Sequence, residues 1–472
     1  MASLVIISCS DTEALNPVNQ TRISDANAFA TPERIEQLVL GAYSGVKVGN
    51  FYGGRFMNYQ DVRGPEFLNE RNNGVTNLLT WNFGVQSATN EVQNLWSAAY
   101  IAINRCNILI EGVKTSPVSD ALKARYTAEA QFLRALSYYS LVTLYAQPYT
   151  LNNGTSLGLP LRLKPETSGG NNDIVRSTVA DVYKQVIEDL NAAETNLPLT
   201  NSNALNNTTR AHRNTAIALK TRVYLSMGKY PEVITEANKI VSASAPFSAP
   251  TGVANALASS IATIFGKSTT AENIFSFPYS ANDVPGTQNS LVFYYNGNTA
   301  VGGQEYSLNP SGIIANTEWK STDARRTFNV VTGGKAYVHK WTAPQTDPDF
   351  VPVIRYAEVL LNLSEAIARS TNSVDARAVA LLNAVRGRSD ATTVFSTSTF
   401  ATAQDLINQI LIERRIELLA EGFSSPDIMR LGQNFPVKGS APAVAKTDTQ
   451  YLWPIPLNEL LYNKLCVQNT GH

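Results

Sequence analysis

A helix–turn–helix unit at residues 211–242 constrains what this 472-residue chain can fold into more than any other segment. Small and apolar residues recur at helical spacing through residues 211–226, and the pattern resumes at residues 232–242. Between the two stretches, Gly228 permits a reversal of the chain and Pro231 stands where a second helix can begin. Because small side chains let antiparallel helices approach closely, this segment predicts a tetratricopeptide-like repeat.

Helical periodicity recurs on both sides of this unit. Thr31 followed by Pro32 is a typical start of a helix, and Trp96, Tyr100 and Ile103 mark one apolar face of another. Helices are predicted from residue 31 onward and at residues 90–114, 122–146, 173–197, 352–369, 374–388 and 405–420. The chain is therefore predicted to be mainly α, with its helix pairs stacked into a tetratricopeptide-like superhelix.

Two long segments, residues 51–89 and 243–351, have a different character. The second is rich in Ser, Thr, Asn and Gly and holds short strand-like runs at residues 273–279 and 335–341. Long irregular segments attached to a regular frame usually carry function. The sequence thus predicts a helical scaffold at residues 31–50, 90–242 and 352–472, and an irregular, loop-rich lobe with few short strands where a ligand is expected.

The composition points away from several classes of function. Lys and Arg together number 38, as do Asp and Glu, so no excess of positive charge indicates a nucleic-acid partner. The three cysteines form no Cys-x-x-Cys pair, and the three histidines lie outside any cluster with metal-ligand spacing. Residues 266–269 look like the end of a phosphate-binding loop, but Ile261 stands where that loop requires glycine. We expect no metal, no cofactor and no catalytic residue.

Eight charged residues of the C-terminal third could be mistaken for catalytic groups: Arg355, Glu358, Glu365, Arg386, Glu413, Arg414, Glu417 and Glu421. The glutamates recur near the helical period, so each set follows one face of a helix. Glycoside hydrolysis would need two carboxylates facing each other across a cleft, and no spacing in the sequence shows such a pair. We predict instead that these groups form Arg–Glu pairs between packed helices.

The first nine residues, MASLVIISC, form a short apolar run that ends at Cys9. The run is too short to span a bilayer, and polar residues follow it at once, which is typical of a bacterial lipoprotein signal that ends in an acylated cysteine. The positively charged segment that usually precedes such a run is missing from the sequence. The alternative is an apolar N-terminus with a chance cysteine. We predict that residues 1–9 are a signal remnant and that residues 10–472 form one domain.

Several motifs then occur in one order along the chain. They are YTAEAQFLRALSYYSLVTLY at 126–145, LGLPL at 157–161, the helix of residues 176–198, IRYAE at 354–358, LNAVR at 382–386, ERRIELLAEG at 413–422, and PIP at 454–456 with QN at 468–469. The ordered set resembles the SusD/RagB family of Bacteroidetes nutrient-binding lipoproteins. One departure follows Glu421 and Gly422, where the family usually has His or Arg and bulky aromatics, but this chain has Phe423, Ser424 and Ser425.

The resemblance implies a location and partners. It implies a lipid anchor at Cys9 on the outer membrane, with the protein facing the cell exterior. It also implies a SusC-like TonB-dependent barrel as the protein partner, and an oligosaccharide ligand that is passed inward without chemistry. Peptides are the ligands of some members, so peptide or other nutrient capture stays open. A protein–protein adaptor or a secreted hydrolase on the same scaffold are less favoured alternatives.

Candidate ligand-binding residues come from the two irregular segments. Sugars lay their C–H faces on aromatic rings and pair their hydroxyls with amide or guanidinium groups. Residues of these types in the two segments are Arg71, Trp81, Asn82, Tyr294, Tyr295, Tyr306 and Trp319. In the family, sugar-stacking aromatics tend to come from these two regions. The alternative for each ring is that it packs the core.

Overall fold

The structure is a computed structural model that describes residues 27–170 and 172–472. The predicted lipid anchor, Cys9, lies outside these residues, and its acylation stays a prediction. Helices are the main regular structure of the described residues. The helices are α1 (Pro32–Val46), α2 (Arg55–Val62), α3 (Leu78–Trp81), α4 (Asn90–Gly112), α5 (Asp120–Tyr145), α6 (Tyr149–Asn152), α7 (Val179–Asn196), α8 (Ala204–Thr209), α9 (Arg213–Ser226), α10 (Tyr230–Ala237), α11 (Leu291–Tyr295), α12 (Tyr356–Thr371), α13 (Ala376–Ser389), α14 (Ala403–Glu417), α15 (Ser424–Arg430) and α16 (Leu457–Tyr462).

The strands of the described residues are short and pair two by two. They are β1 (Phe67–Asn69), β2 (Asn273–Phe277), β3 (Tyr306–Leu308), β4 (Asn329–Thr332), β5 (Lys335–Val338) and β6 (Val351–Arg355). β1 pairs with β3, β2 with β6, and β4 with β5, all antiparallel. Most of them belong to the loop-rich segments, so the predicted lobe with few strands is confirmed.

The scaffold helices pack on one another largely in chain order. α4 packs on α5, α5 on α7, α7 on α9, α9 on α10, α10 on α12, and α12 on α13. The turn from α9 to α10 has the predicted geometry, since Gly228 adopts a left-handed φ of +69°, which glycine reaches at no steric cost. The prediction of a mainly α, tetratricopeptide-like fold is confirmed.

Two predicted helices begin later than expected. Residues 173–178 are extended, because Thr178 bridges to Leu157 and then caps α7 through a reciprocal bond with Asp181. Residues 352–355 belong to β6 rather than to a helix. Their apolar run suits a buried strand as well as a helix, and pairing with β2 decides between the two.

A network of ten buried charges joins the C-terminal helices to the lobe. Its five cations are Arg325, Lys340, Arg355, Arg386 and Arg388, and its five carboxylates are Glu272, Asp323, Glu413, Glu417 and Glu421. No side chain of the network is more than 4% exposed. We call this set the ten-charge network. The three remaining charges from the sequence are also paired, Glu358 with Arg222, Glu365 with Arg430, and Arg414 with Asp427. The prediction of structural Arg–Glu pairs is confirmed.

Within residues 27–170 and 172–472, no helix combines the length and apolarity that crossing a membrane requires.

Replacement of Glu417 should destabilise the protein severely. Its carboxylate accepts hydrogen bonds from Arg325, Arg355 and Arg388 at 2.5–2.8 Å. Glu417→Ala would leave buried cations without their partner, so the free energy of unfolding should fall by about 3–5 kcal/mol. Urea unfolding followed by circular dichroism measures the change. The control is Glu188→Ala, because the exposed Glu188 lies 3.9 Å from Lys184 and its removal should cost less than about 1 kcal/mol. Equal losses in both variants would contradict a stabilising role for the network.

Candidate ligand-binding surface

The two loop-rich segments meet through the β1–β3 pair. Phe67 pairs with Leu308, and Asn69 pairs with Tyr306. The backbone contact continues beyond the strands, where the Glu70 amide donates to the Glu305 carbonyl at 2.9 Å. Residues more than 230 positions apart in sequence therefore lie side by side, as the candidate site requires.

The three predicted tyrosines are buried at this strand pair, and Tyr306 belongs to β3 itself. Tyr294, Tyr295 and Tyr306 have no exposed surface. Tyr295 packs on Phe67 at 4.9 Å between ring centroids, and the Tyr306 hydroxyl donates to the Thr76 carbonyl at 2.7 Å. Burial raises the pKa of all three phenols, since a phenolate would lose its hydration there. These rings pack the core of the lobe.

The two predicted tryptophans are also buried. Trp81 is 5% exposed and donates its indole N–H to the Phe67 carbonyl at 2.8 Å. Trp319 is 2% exposed. The guanidinium carbon of Arg326 lies over the Trp319 ring, 4.3 Å from the ring centroid. For Trp319 the structure shows the packing role that the sequence left as an alternative.

All five predicted rings are thus buried in the folded protein. The sequence places aromatic residues in the loop-rich segments, but only the pairing of distant segments decides which side of the lobe each ring faces. Ligand contact by Trp81, Tyr294, Tyr295, Tyr306 and Trp319 stays a prediction, and none of these rings offers a face to the surface.

Arg71 and Asn82 are the predicted residues with accessible polar atoms. Arg71 is exposed, and its guanidinium donates to the Gly303 carbonyl at 3.0 Å and to the Gln304 side chain. Asn82 is half-buried at the end of α3, where its side-chain oxygen accepts from the Gly84 amide at 3.0 Å. Each residue is therefore held in place while part of it faces solvent.

Further polar groups surround Arg71. The Glu70 carboxylate accepts from the Lys335 ammonium and the Ser307 hydroxyl, so it ties β5 to the β1–β3 pair. The amide of Gln304 donates to the Gly297 carbonyl at 2.6 Å. We call Glu70, Arg71, Gln304 and Lys335 the Arg71 surface. It presents a guanidinium, an amide, a carboxylate and an ammonium in fixed positions, and such groups form hydrogen bonds with hydroxyl-rich ligands.

Sequence reasoning missed a cleft of about 570 Å³ beside this region. Pro65, Glu66 and Ser311 of the lobe form one wall, and aliphatic side chains of α14 and α15 form the other. Phe423 and Ser424 line it as well. The signal that could have found it is the departure from the expected family pattern that begins at these two residues.

Asp61 lines the same cleft and is one of its buried carboxyls. It is 2% exposed, and its carboxyl accepts from the Gly422 amide at 2.8 Å and the Tyr295 hydroxyl at 3.1 Å. Burial outweighs these two hydrogen bonds and raises the pKa of Asp61 to about 7. No cluster of three or more metal-ligating side chains occurs in the part of the chain that the structure describes.

The raised pKa of Asp61 predicts a pH dependence of stability. A carboxyl with a raised pKa holds its proton more tightly in the folded protein, so its contribution to stability is full below its ordinary pKa of 3.8 and is lost as the pH rises through about 7. Asp61→Asn keeps an acceptor oxygen and cannot ionise. Relative to the native chain, this variant should gain up to about 4 kcal/mol of unfolding free energy between pH 4 and pH 8.

Urea unfolding at several pH values measures this difference. The matched control is Asp120→Asn, which makes the same substitution at a fully exposed side chain. This variant should keep the pH profile of stability of the native chain. A difference between native and Asp61→Asn that stays constant with pH would contradict the raised pKa.

Comparison with known proteins places this fold in a family. A family model described as starch-binding and associating with the outer membrane matches residues 17–225, and a model described as the SusD family matches residues 285–438. The chain is also similar to SusD-like protein P38 of Formosa agariphila, with 24% identity over 99% of this chain and 96% of the relative.

Solved structures show the same likeness. The chain is similar to a SusD superfamily protein from Bacteroides fragilis, with 32% identity, a TM-score of 0.83, and coverage of 93% of this chain and 99% of the other. A SusD superfamily protein from Bacteroides thetaiotaomicron has 25% identity and a TM-score of 0.82, over 93% of this chain and 100% of the other. Since motifs, fold and both family models agree along most of its length, the chain belongs to the SusD family.

Proposed function

We propose that this protein is a lipoprotein of the outer membrane that faces the cell exterior, binds oligosaccharides and delivers them to a SusC-like TonB-dependent barrel without catalysis. Membership of the SusD family is the observation that carries the proposal, because one matching family model is described as starch-binding and associating with the outer membrane. Attachment through an acylated Cys9 is part of it. The proposal also treats residues 10–472 as one binding domain, since buried residues from Ile35 to Cys466 pack into one hydrophobic cluster.

The Arg71 surface is the proposed place of glycan binding. Arg71 and Gln304 provide the planar guanidinium and amide groups that sugar hydroxyls require, and Asn82 stays a separate candidate contact. The buried rings of Trp81, Tyr295 and Tyr306 pack against the strand pair that carries this surface. A surface whose groups are already held by internal hydrogen bonds loses little freedom when a ligand binds, which favours affinity.

The charges of the C-terminal helices favour binding without catalysis. The carboxylates that resembled catalytic groups are buried in ion pairs, and the neighbouring guanidinium groups hold the pKa of Glu417 well below its usual range. A general acid for glycoside hydrolysis needs the opposite, a raised pKa in contact with the substrate. Asp61 has a raised pKa, but the other carboxylates that line its cleft, Glu66 and Asp427, are each paired with an arginine. The charges therefore support a binding protein rather than a hydrolase.

A direct test is calorimetric titration of residues 10–472 with neutral oligosaccharides, starting from maltoheptaose. Arg71→Ala should weaken binding by about 10-fold to 100-fold, because a hydrogen bond to a charged group contributes about 1.5–3 kcal/mol. The control is Lys184→Ala, which removes an exposed cation from α7 and should leave the affinity unchanged. Release of shortened sugars during the titration would contradict the non-catalytic part of the proposal, and a panel in which no glycan binds would contradict the ligand class.

Peptide capture is the second candidate function, and the 570 Å³ cleft favours it. Its walls include Leu411, Ile412 and Ile428, which suit an apolar peptide side chain better than a sugar. Titration with a mixture of peptides separates the two candidates, because only peptide capture predicts saturable binding that Ser424→Trp blocks.

A further inference from the structure

A second cleft, of about 660 Å³, lies between α4, the segment that follows Arg162, and α16 near the end of the chain. None of its lining residues belongs to the Arg71 surface or to the 570 Å³ cleft. Its volume lies within the usual range for small-ligand sites, about 300–1,000 Å³. We call it the α4–α16 cleft.

Arg162 and Glu459 form the polar wall of this cleft. The Arg162 guanidinium donates to the Asn172 carbonyl at 2.9 Å, to the Glu166 carboxylate, and to the Glu459 carboxylate at 3.2 Å. Glu459 also accepts from the Trp96 indole at 3.2 Å and from the Asn463 amide at 2.7 Å. Three separate segments of the chain are thereby held together around the cleft.

The charges of the wall cancel. Its cations are Arg105 and Arg162, and its carboxylates are Glu166 and Glu459. Arg162 is paired with both carboxylates, and Arg105 donates to the Gly41 carbonyl at 3.1 Å, so the formal charges of the wall sum to zero. The electrostatics of the cleft therefore suit a neutral, polar ligand.

Side-chain amides make the wall rigid. Asn104 donates to the Glu166 carbonyl and accepts from the Glu166 amide, both at 2.8 Å. Asn107 donates to the Arg162 carbonyl at 2.9 Å. Because these bonds fix the segment that follows Arg162 on α4, the cleft is formed before any ligand arrives.

Aromatic rings complete the cleft. Trp96 and Tyr100 pack with their centroids 4.8 Å apart and form its buried side. At the rim, Tyr462 is 82% exposed, more than any other large apolar side chain of the described residues, and Ile101 is 55% exposed. Ser97 and Asn458 are exposed beside them. The Tyr462 ring thus contributes little to the packing of the fold while it stands at the mouth of a preformed cleft.

We infer that the α4–α16 cleft is a second saccharide-binding site, in which Tyr462 stacks on the C–H face of a neutral sugar. Ser97 and Asn458 provide the hydroxyl and amide partners for the sugar hydroxyls. A neutral wall, an exposed ring and planar polar groups together match the chemistry of an oligosaccharide. This inference rests on the proposed function, since it assigns the same ligand class to a separate place on the molecule.

The experiment is calorimetric titration of residues 10–472 with maltoheptaose and with β-linked glucose oligomers, combined with hydrogen exchange. We expect two sugars bound per native chain, and slower exchange at residues 457–463 when sugar is present. Tyr462→Ala should weaken the second site about tenfold, as expected for loss of a stacked ring. Tyr462→Phe keeps the ring and should keep the affinity.

Two further variants make the result specific. Ser97→Trp should fill the cleft and block the second site, and the exposed position of Ser97 on α4 keeps the fold intact. Leu465→Ala removes an apolar side chain that is 51% exposed on the same terminal segment, so it should change nothing.

The outcomes distinguish failure of this inference from failure of the proposed function. One sugar per chain, lost in Arg71→Ala and unchanged in Tyr462→Ala and Ser97→Trp, would overturn the inference and leave the proposed function standing. Absence of any sugar binding by the native chain would overturn both. Unchanged sugar binding together with weaker co-purification of the barrel partner in Tyr462→Ala would also overturn the inference, since it would assign the cleft to a protein.

Discussion

Arg355 is the residue on which the arrangement of scaffold and lobe depends most. It stands at the junction of β6 and α12. Its guanidinium donates to Glu272 before β2, to Glu417 at the end of α14, and to Glu421 in the turn that follows. A buried guanidinium is tolerated only where carboxylates surround it. The ten-charge network, with five charges of each sign, therefore requires these segments to meet in one arrangement.

That requirement explains how an irregular lobe can present a defined surface. Lys340 and Arg325 extend the network into the segment that carries the β4–β5 hairpin, so the lobe is joined to the helices by ion pairs as well as by packing. The β1–β3 pair then joins the two loop-rich segments and holds Arg71 at the surface. Both the Arg71 surface and the α4–α16 cleft are held by internal hydrogen bonds, so a ligand that bound at either place would cause little further ordering of the protein.

Much of the scaffold could be read from the sequence because its signals are local. Helical periodicity, the glycine at Gly228 and the pairing of arginines with glutamates at helical spacing all predicted what the structure shows. The strand at residues 351–355 could not be separated from a helix, because a short apolar run fits either and only its partner, β2, decides. The burial of the aromatic rings could not be predicted for a similar reason, since the type of a residue in a loop does not reveal which side of the loop faces solvent.

By itself the sequence determined the fold class, the family and the segments that form the lobe, because periodicity and motif order are properties of neighbouring residues. Only the tertiary structure decided which candidate residues are accessible. It buried Trp81 and Tyr295, left Arg71 exposed, and assembled a cleft from Trp96, Arg162 and Tyr462. The physical reason is that exposure and concavity depend on contacts between residues far apart in the chain, and no local pattern encodes them.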